Sequence, residues 1–305
     1  MSLSERHSLC IVFNNRPAFW PAYLRAPLQK NRLLDGQDLP PLAGTWKKIR
    51  FDPVHVDRYR ACCGLPAEPF IPWTYPYLCI ARLQLRMLTH PAFPLTPLGA
   101  LHCRNTILCH QMLDPKLTCT AETALLPSRR VKQGLEIRMV GRLHSQRTIW
   151  ACESAYLARS RRLAGADETP PEFRFEPVEH ADIKDTWTVP VGTGRAYARI
   201  SGDWNPIHLG HLSAHLFGGF PRGVVHGMWS LARCVASLPA SVLTPPFRLD
   251  TVFKGPVFMP GSCRMLSRTC EDGVCRADVY CDDNPRPVLQ ICVTPYGTEH
   301  LSSNT

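Results

Sequence analysis

Residues 197–208 read Tyr197-Ala198-Arg199-Ile200-Ser201-Gly202-Asp203-Trp204-Asn205-Pro206-Ile207-His208, and the way this stretch changes character in the middle organises the rest of the chain. Its first half is helical and carries a Tyr five residues before a Gly. Asn205-Pro206 then favours a turn, because the residue before a proline is biased away from the helical region. A loop therefore projects from a helix that ends near Gly202. The same spacing recurs as Tyr59-x4-Gly64. Each copy follows a short strand, Trp46 to Phe51 or Thr186 to Val191, and precedes a longer helical candidate. In the second copy Val225, Met228, Trp229, Ala232, Val235 and Ala236 repeat at intervals of three and four, so one face is apolar and small enough to be wrapped. Its first-half partner runs from Tyr77 to Leu88 and is entered through Pro76, whose fixed φ suits a first helical turn.

Strand signals follow each long helix. They cover His102–Cys109, Leu117–Leu126, Leu135–Leu143 and Thr148–Leu157 in the first half, then Phe247–Phe253, Ser262–Thr269, Val274–Cys281 and Val288–Thr294 in the second. Alternation such as Glu136, Ile137, Arg138, Met139 has the period of a sheet with one buried face. A helix followed by four antiparallel strands, twice, predicts an α+β chain of two similar units that pair edge to edge. Leu163 to His180, with three prolines and no apolar periodicity, reads as the connection. The expected organisation is an N-terminal extension over 1–44 lying outside the first unit, a first unit over 45–162, a linker over 163–180 and a second unit over 181–305.

Composition narrows the function classes. The chain has 305 residues, 45% hydrophobic and 20% charged, which excludes a disordered polymer. No window approaches eighteen apolar residues, and the N-terminal apolar run is only Cys10 to Phe13, so neither a membrane span nor a signal peptide is expected. Fourteen scattered cysteines without a Cys-x-x-Cys pattern suit buried thiols in a reducing cytoplasm. The net charge of +10 is uneven, for residues 1–162 hold 23 Lys and Arg against 10 Asp and Glu, and residues 163–305 hold 12 against 15. A basic half of this kind suits a polyphosphate ligand, an acidic carrier protein or a solvated face. It follows no nucleic-acid motif and has no aromatic interleaving, so no nucleic-acid partner is expected.

The loop itself carries chemistry. Asp203 and His208, five apart, can bring a carboxylate and an imidazole to one point, as proton transfer to or from a water requires. Aligning Gly64 with Gly202 puts Leu65, Ala67 and Phe70 at the positions of Asp203, Asn205 and His208, and none of the three transfers a proton. Other readings are open. His208, His211 and His215 have a spacing that could serve zinc on a helix, although Pro206 argues for a loop. Cys62-Cys63 could be a nucleophile or packed thiols. His226 reads as a capping or packing residue at a helix start, and Asp52-Pro53 as an N-cap and first turn.

The run SGDWNPIHL with the downstream Val225-His226-Gly227-Met228-Trp229 resembles the MaoC-like dehydratases, or (R)-specific (type 2) enoyl-CoA hydratases. The match is close over 184–260, including Phe253-Lys254-Gly255-Pro256-Val257 and Pro260-Gly261, whereas the first half matches in pattern only. The resemblance implies a double hot-dog fold in which each unit wraps a long central helix in an antiparallel sheet. It implies that Asp203 and His208 are the catalytic pair, that Asn205 supports the loop, and that the Gly227 backbone N–H forms the oxyanion site. The absence of a Cβ at Gly227 would let substrate approach the backbone. Arg222, just before the helix, is a candidate contact for a CoA phosphate. The expected substrate is an acyl-CoA or acyl carrier protein thioester, handled without cofactor or metal. Leu65, Phe70 and Trp73 would leave room in the first unit for a longer acyl chain. A hot-dog thioesterase and a non-catalytic acyl-CoA-binding module are the alternatives, and further pairing into a homodimer is open.

Overall fold

The computed structural model describes residues 9–34, 36–167, 170 and 173–296. Residues 1–8 of the expected extension, four residues of the connection (168, 169, 171 and 172) and the tail 297–305 lie outside them. In chain order the helices are α1 (Trp20–Arg25), α2 (Pro53–Cys63), α3 (Tyr77–Leu88), α4 (Thr193–Ser201), α5 (His211–Gly218) and α6 (Gly227–Val235). The strands of the first half are β1 (Leu9–Phe13), β2 (Leu42–Ile49), β3 (Leu101–Cys109), β4 (Cys119–Leu125), β5 (Arg129–Val131), β6 (Gly134–His144) and β7 (Thr148–Arg159). Those of the second are β8 (Ile183–Val189), β9 (Gly223–Val224), β10 (Phe247–Phe253), β11 (Phe258–Met259), β12 (Gly261–Thr269), β13 (Cys275–Cys281) and β14 (Leu289–Pro295).

One sheet runs β1-β2-β4-β6-β7-β3-β10-β14-β13-β12-β8, with β5 hairpinned onto β6. Read inward from β8 at one edge and from β2, beside the edge strand β1, at the other, the two halves have the same order: the strand before the long helix, then the second, third and fourth main strands after it, then the first. They meet where β3 pairs antiparallel with β10, from Cys109 opposite Phe247 to Arg104 opposite Val252. This is the α+β, double hot-dog arrangement expected. On α3, Ile80, Leu83 and Met87 are fully buried at intervals of three and four, each burial contributing roughly 1.5–3 kcal/mol. A single apolar cluster takes Tyr59, Leu83 and Trp150 from the first half and Tyr197, Trp229 and Phe247 from the second. The units therefore share a core. Among the described residues no helix is long and apolar enough to cross a membrane.

The N-terminal segment departs from expectation. It does not lie outside the first unit: β1 pairs in parallel with β2, from Leu9 opposite Leu42 to Phe13 opposite Trp46, and Ala22, Ala26 and Leu33 are buried. The β2 strand begins at Leu42, straight after Pro40-Pro41, and stops at Ile49, where Lys48 at φ 58° marks a bulge. Its first residues alternate too weakly to be read as a strand, since Leu42–Trp46 are buried on both faces of the sheet.

Candidate active site

The catalytic-loop candidate begins at a helix cap. Gly202 takes the left-handed conformation (φ 78°) after α4 and its N–H donates to the Ala198 carbonyl at 2.8 Å. Asp203 Oδ1 then accepts from the Asn205 N–H at 3.1 Å, and Asn205 Oδ1 accepts from the Ile207 N–H at 3.4 Å. These two side-chain turns fold residues 203–208 into a short 3-10 segment, Pro206–His208. Asn205 thus shapes the loop by capping it. A carboxylate oxygen of Asp203 and a ring nitrogen of His208 end up within 4.8 Å of each other.

His208 is buried, and its Nδ1 lies 2.7 Å from the Val224 carbonyl oxygen. A carbonyl only accepts, so Nδ1 carries the proton and Nε2 keeps its lone pair. Burial holds the His208 imidazole below its ordinary pKa against the pull of Asp203, which favours this neutral form. Asp203 keeps half its side chain accessible. Burial raises its carboxyl, but His226, His208, the Asn205 N–H and the Tyr23 hydroxyl outweigh that and leave it below the ordinary carboxylate value.

Two residues of this site were not identified from the sequence. His226 makes no side-chain cap to α6; its Nε2 donates instead to the Asp203 backbone carbonyl at 2.9 Å. Its ring stacks on His208 at 3.8 Å between centroids, and burial pushes its pKa down to about 3. The second residue is Tyr23 of α1, whose hydroxyl lies 3.3 Å from Asp203 Oδ1. Adjacency to the Val225-His226-Gly227 run was a signal for His226. Nothing in the sequence ties Tyr23 to a residue 180 positions away.

Gly227 opens α6, so its N–H has no intrahelical acceptor, and among the described residues it has no other. A Cβ there would fall 3.0 Å from the Phe253 ring, so glycine also lets this side chain of β10 pack close to the helix start. Asp203, His208 and Gly227 share the wall of a cavity of about 1030 Å³. The same wall takes Tyr77, Leu78 and Leu85 from α3 and Phe19 and Tyr23 from the N-terminal segment, so both halves build it. Leu65, Phe70 and Trp73 do not line it: Phe70 stacks on Trp73 at 4.7 Å and all three pack into the core. The room in the first unit lies along α3 instead.

Arg222 is not brought to the cavity. It donates to the Pro260 carbonyl at 2.7 Å and to Asp282 Oδ2 at 2.6 Å on the outer surface. His211 and His215 are exposed on α5, away from His208. Asp203, His208 and His226 are close enough to surround a cation; backbone carbonyls hold His208 Nδ1 and His226 Nε2, which leaves the other nitrogen of each ring available. Cys62 and Cys63 end α2 outside the cavity, and the Cys62 carbonyl accepts from Trp229 Nε1 at 2.8 Å.

Residues 174–274 match the family described as the MaoC like domain. The chain is 26% identical over 226 residues to 3-hydroxyacyl-thioester dehydratase X of Mycobacterium tuberculosis, covering 73% of this chain and 79% of that protein. The crystal structure of HtdX of Mycobacterium tuberculosis superposes with a TM-score of 0.71 at 23% identity, over 83% of this chain and all of the other. Another protein of the same organism, described as having a double hot-dog fold, superposes at 0.50 with 15% identity, over 82% and 94%.

Proposed function

We propose that this chain, which carries a MaoC-like domain in its second unit, is a hydro-lyase interconverting trans-2-enoyl and (R)-3-hydroxyacyl thioesters by syn addition or elimination of water. The observation that carries this reading is the placing of the Asp203 carboxylate and the His208 imidazole within 4.8 Å of each other on a cavity wall that also includes Gly227. The mycobacterial relative, named as a 3-hydroxyacyl-thioester dehydratase, supports it.

A water about 2.8 Å from each acceptor spans that gap. In hydration Asp203 takes one proton as the water oxygen bonds to C3, and the C2=C3 electron pair moves toward the thioester oxygen. The Gly227 N–H, at the positive end of α6, meets the developing enolate oxygen. The proton then passes to C2 on the face that received the hydroxyl, and elimination reverses each step. His208 Nε2 orients the water and Asn205 keeps the loop in shape. Lys132, Arg159 and Arg174 on the cavity wall are cations for the phosphates of CoA, or of the phosphopantetheine arm of an acyl carrier protein. The mostly buried, unpaired cysteines suit a reducing cytoplasm.

The test is the loss of enoyl-thioester absorbance with trans-2-enoyl-CoAs of increasing length. Asp203→Asn and His208→Gln are each expected to lose about 10²–10⁴-fold in kcat while remaining folded. Free thiol release would mark a thioesterase instead, and full turnover in both variants would overturn the assignment. Because Asp203 and His208 are both held below their ordinary pKa values, their deprotonated forms persist as pH falls. Hydration kcat/KM should stay level from pH 8 to below the ordinary histidine value of about 6.5 before declining.

A further inference from the structure

The geometry points to Tyr23 of α1 as a positioning residue that the reaction proposed above depends on, supplied by an N-terminal arm running over the mouth of the catalytic loop. The inference rests on that reading because it concerns the geometry and charge of Asp203. Three loop atoms converge on one hydroxyl. The Trp204 N–H donates to Tyr23 Oη at 2.7 Å, while that hydroxyl's own proton faces the Gly202 carbonyl at 3.1 Å and Asp203 Oδ1 at 3.3 Å. An ionised carboxylate is a strong acceptor, so a donor here favours the charged form and one orientation of the side chain.

The arm is itself anchored from the other unit. Arg82 on α3 is buried, donates to the Pro17 carbonyl at 2.8 Å, and lies 3.5 Å over the Phe19 ring. Phe19 then fills the space beside Gly202: a Cβ at that glycine would fall 1.5 Å from its ring. The contacts run in one line from the first unit's central helix through Phe19 and Tyr23 to the loop of the second. Through them the unit without the motif helps to hold the motif.

The groups facing Asp203 are Tyr23 from α1, His226 at the start of α6 and His208 from the 3-10 turn. His102 of β3, Tyr156 of β7 and Tyr197 of α4 feel its charge from further away. Removing the Tyr23 hydroxyl takes a donor from the ionised carboxylate, so the Asp203 pKa rises and the acid limb of hydration moves to higher pH.

The experiment compares the full-length protein with Tyr23→Phe and Asp203→Asn on the best trans-2-enoyl-CoA. Tyr23→Phe is expected to lower kcat about ten- to hundredfold, to leave KM within about twofold, and to raise the acid limb by roughly half to one pH unit. A role confined to packing would not move the limb. Replacing Tyr23 by 3-fluorotyrosine keeps the ring contacts and strengthens the donor, so the limb should move to lower pH; this arm decides the matter if Tyr23→Phe does not fold. An unmoved limb in the folded variants, with Asp203→Asn inactive, overturns the role of Tyr23 and leaves the proposed reaction standing. Full activity in Asp203→Asn overturns that reaction and this inference together.

Discussion

The segments that follow the two cap glycines, 64–70 and 202–208, start from the same backbone geometry and end in opposite states. Gly64 and Gly202 both close a helix in the left-handed region, at φ 67° and 78°. After Gly64 the chain is fastened from within its own unit, since the Arg60 guanidinium donates to the Glu68 carbonyl at 2.8 Å and to that of Phe70. Leu65 and Phe70 pack against the core, while residues 66–69 between them stay exposed. After Gly202 one carbonyl is held by Tyr23 of the N-terminal arm and the next by His226 at the start of α6, and Asp203, Asn205, Ile207 and His208 line the cavity. Each cap also receives the opposite unit's central helix. Arg233 of α6 touches the Gly64 position directly, its Cδ 3.3 Å from where a Cβ would be, whereas Arg82 of α3 reaches Gly202 only through Phe19. The repeat fixes where a loop can emerge, and the groups that hold its backbone decide whether it is open for chemistry.

Three substitutions would break or sharpen that contrast. Gly202→Ala should be the most severe, combining left-handed strain with a collision against Phe19. It is expected to destabilise by about 2–4 kcal/mol and to lower turnover, measured by denaturant unfolding and by the absorbance assay. Arg60→Met leaves the Glu68 and Phe70 carbonyls without their donor and should lower stability by about 2 kcal/mol. Turnover should stay within about twofold of the parent, because the first-unit segment lines no part of the cavity. Gly64→Ala meets only the flexible Arg233 side chain, so backbone strain of about 1 kcal/mol is the whole expected effect. Equal losses from Gly202→Ala and Gly64→Ala would remove Phe19 from the account.

Much of this was legible in the chain itself. The long helix expected over Tyr77–Leu88 is α3, and the eight strands expected after the long helices are β3, β4, β6, β7, β10, β12, β13 and β14. In β6 and β12 alternating burial makes the strand legible, whereas β4, β7 and β14 are buried on both faces and read as apolar runs between turns. The Asp52 cap was legible for a local reason, its side chain accepting from Val54 two residues on at 3.0 Å. The arm was not. The six residues of α1 are too few to show a period, and what fixes them is Arg82, Asp203 and their neighbours, brought near by the fold alone. His226 reads as a capping or packing residue; it packs, stacked on His208, and its long-range acceptor, the Asp203 carbonyl, is a backbone atom that leaves no mark on composition.

The seam between β3 and β10 bears on how little of this chain could stand alone. Six consecutive residue pairs join the two strands, and at their middle Thr106 Oγ1 donates to Asp250 Oδ1 at 2.5 Å, out of solvent. A fragment trimmed to the motif-bearing second unit would leave β10 with one side of its backbone ladder bare, a template for unwanted strand addition. It would also forfeit α3, α1 and Tyr23, and with them a wall of the reaction chamber and the outer fastening of its loop. The smallest piece that keeps the proposed site whole is therefore the pair of units, joined through one sheet and one cavity wall.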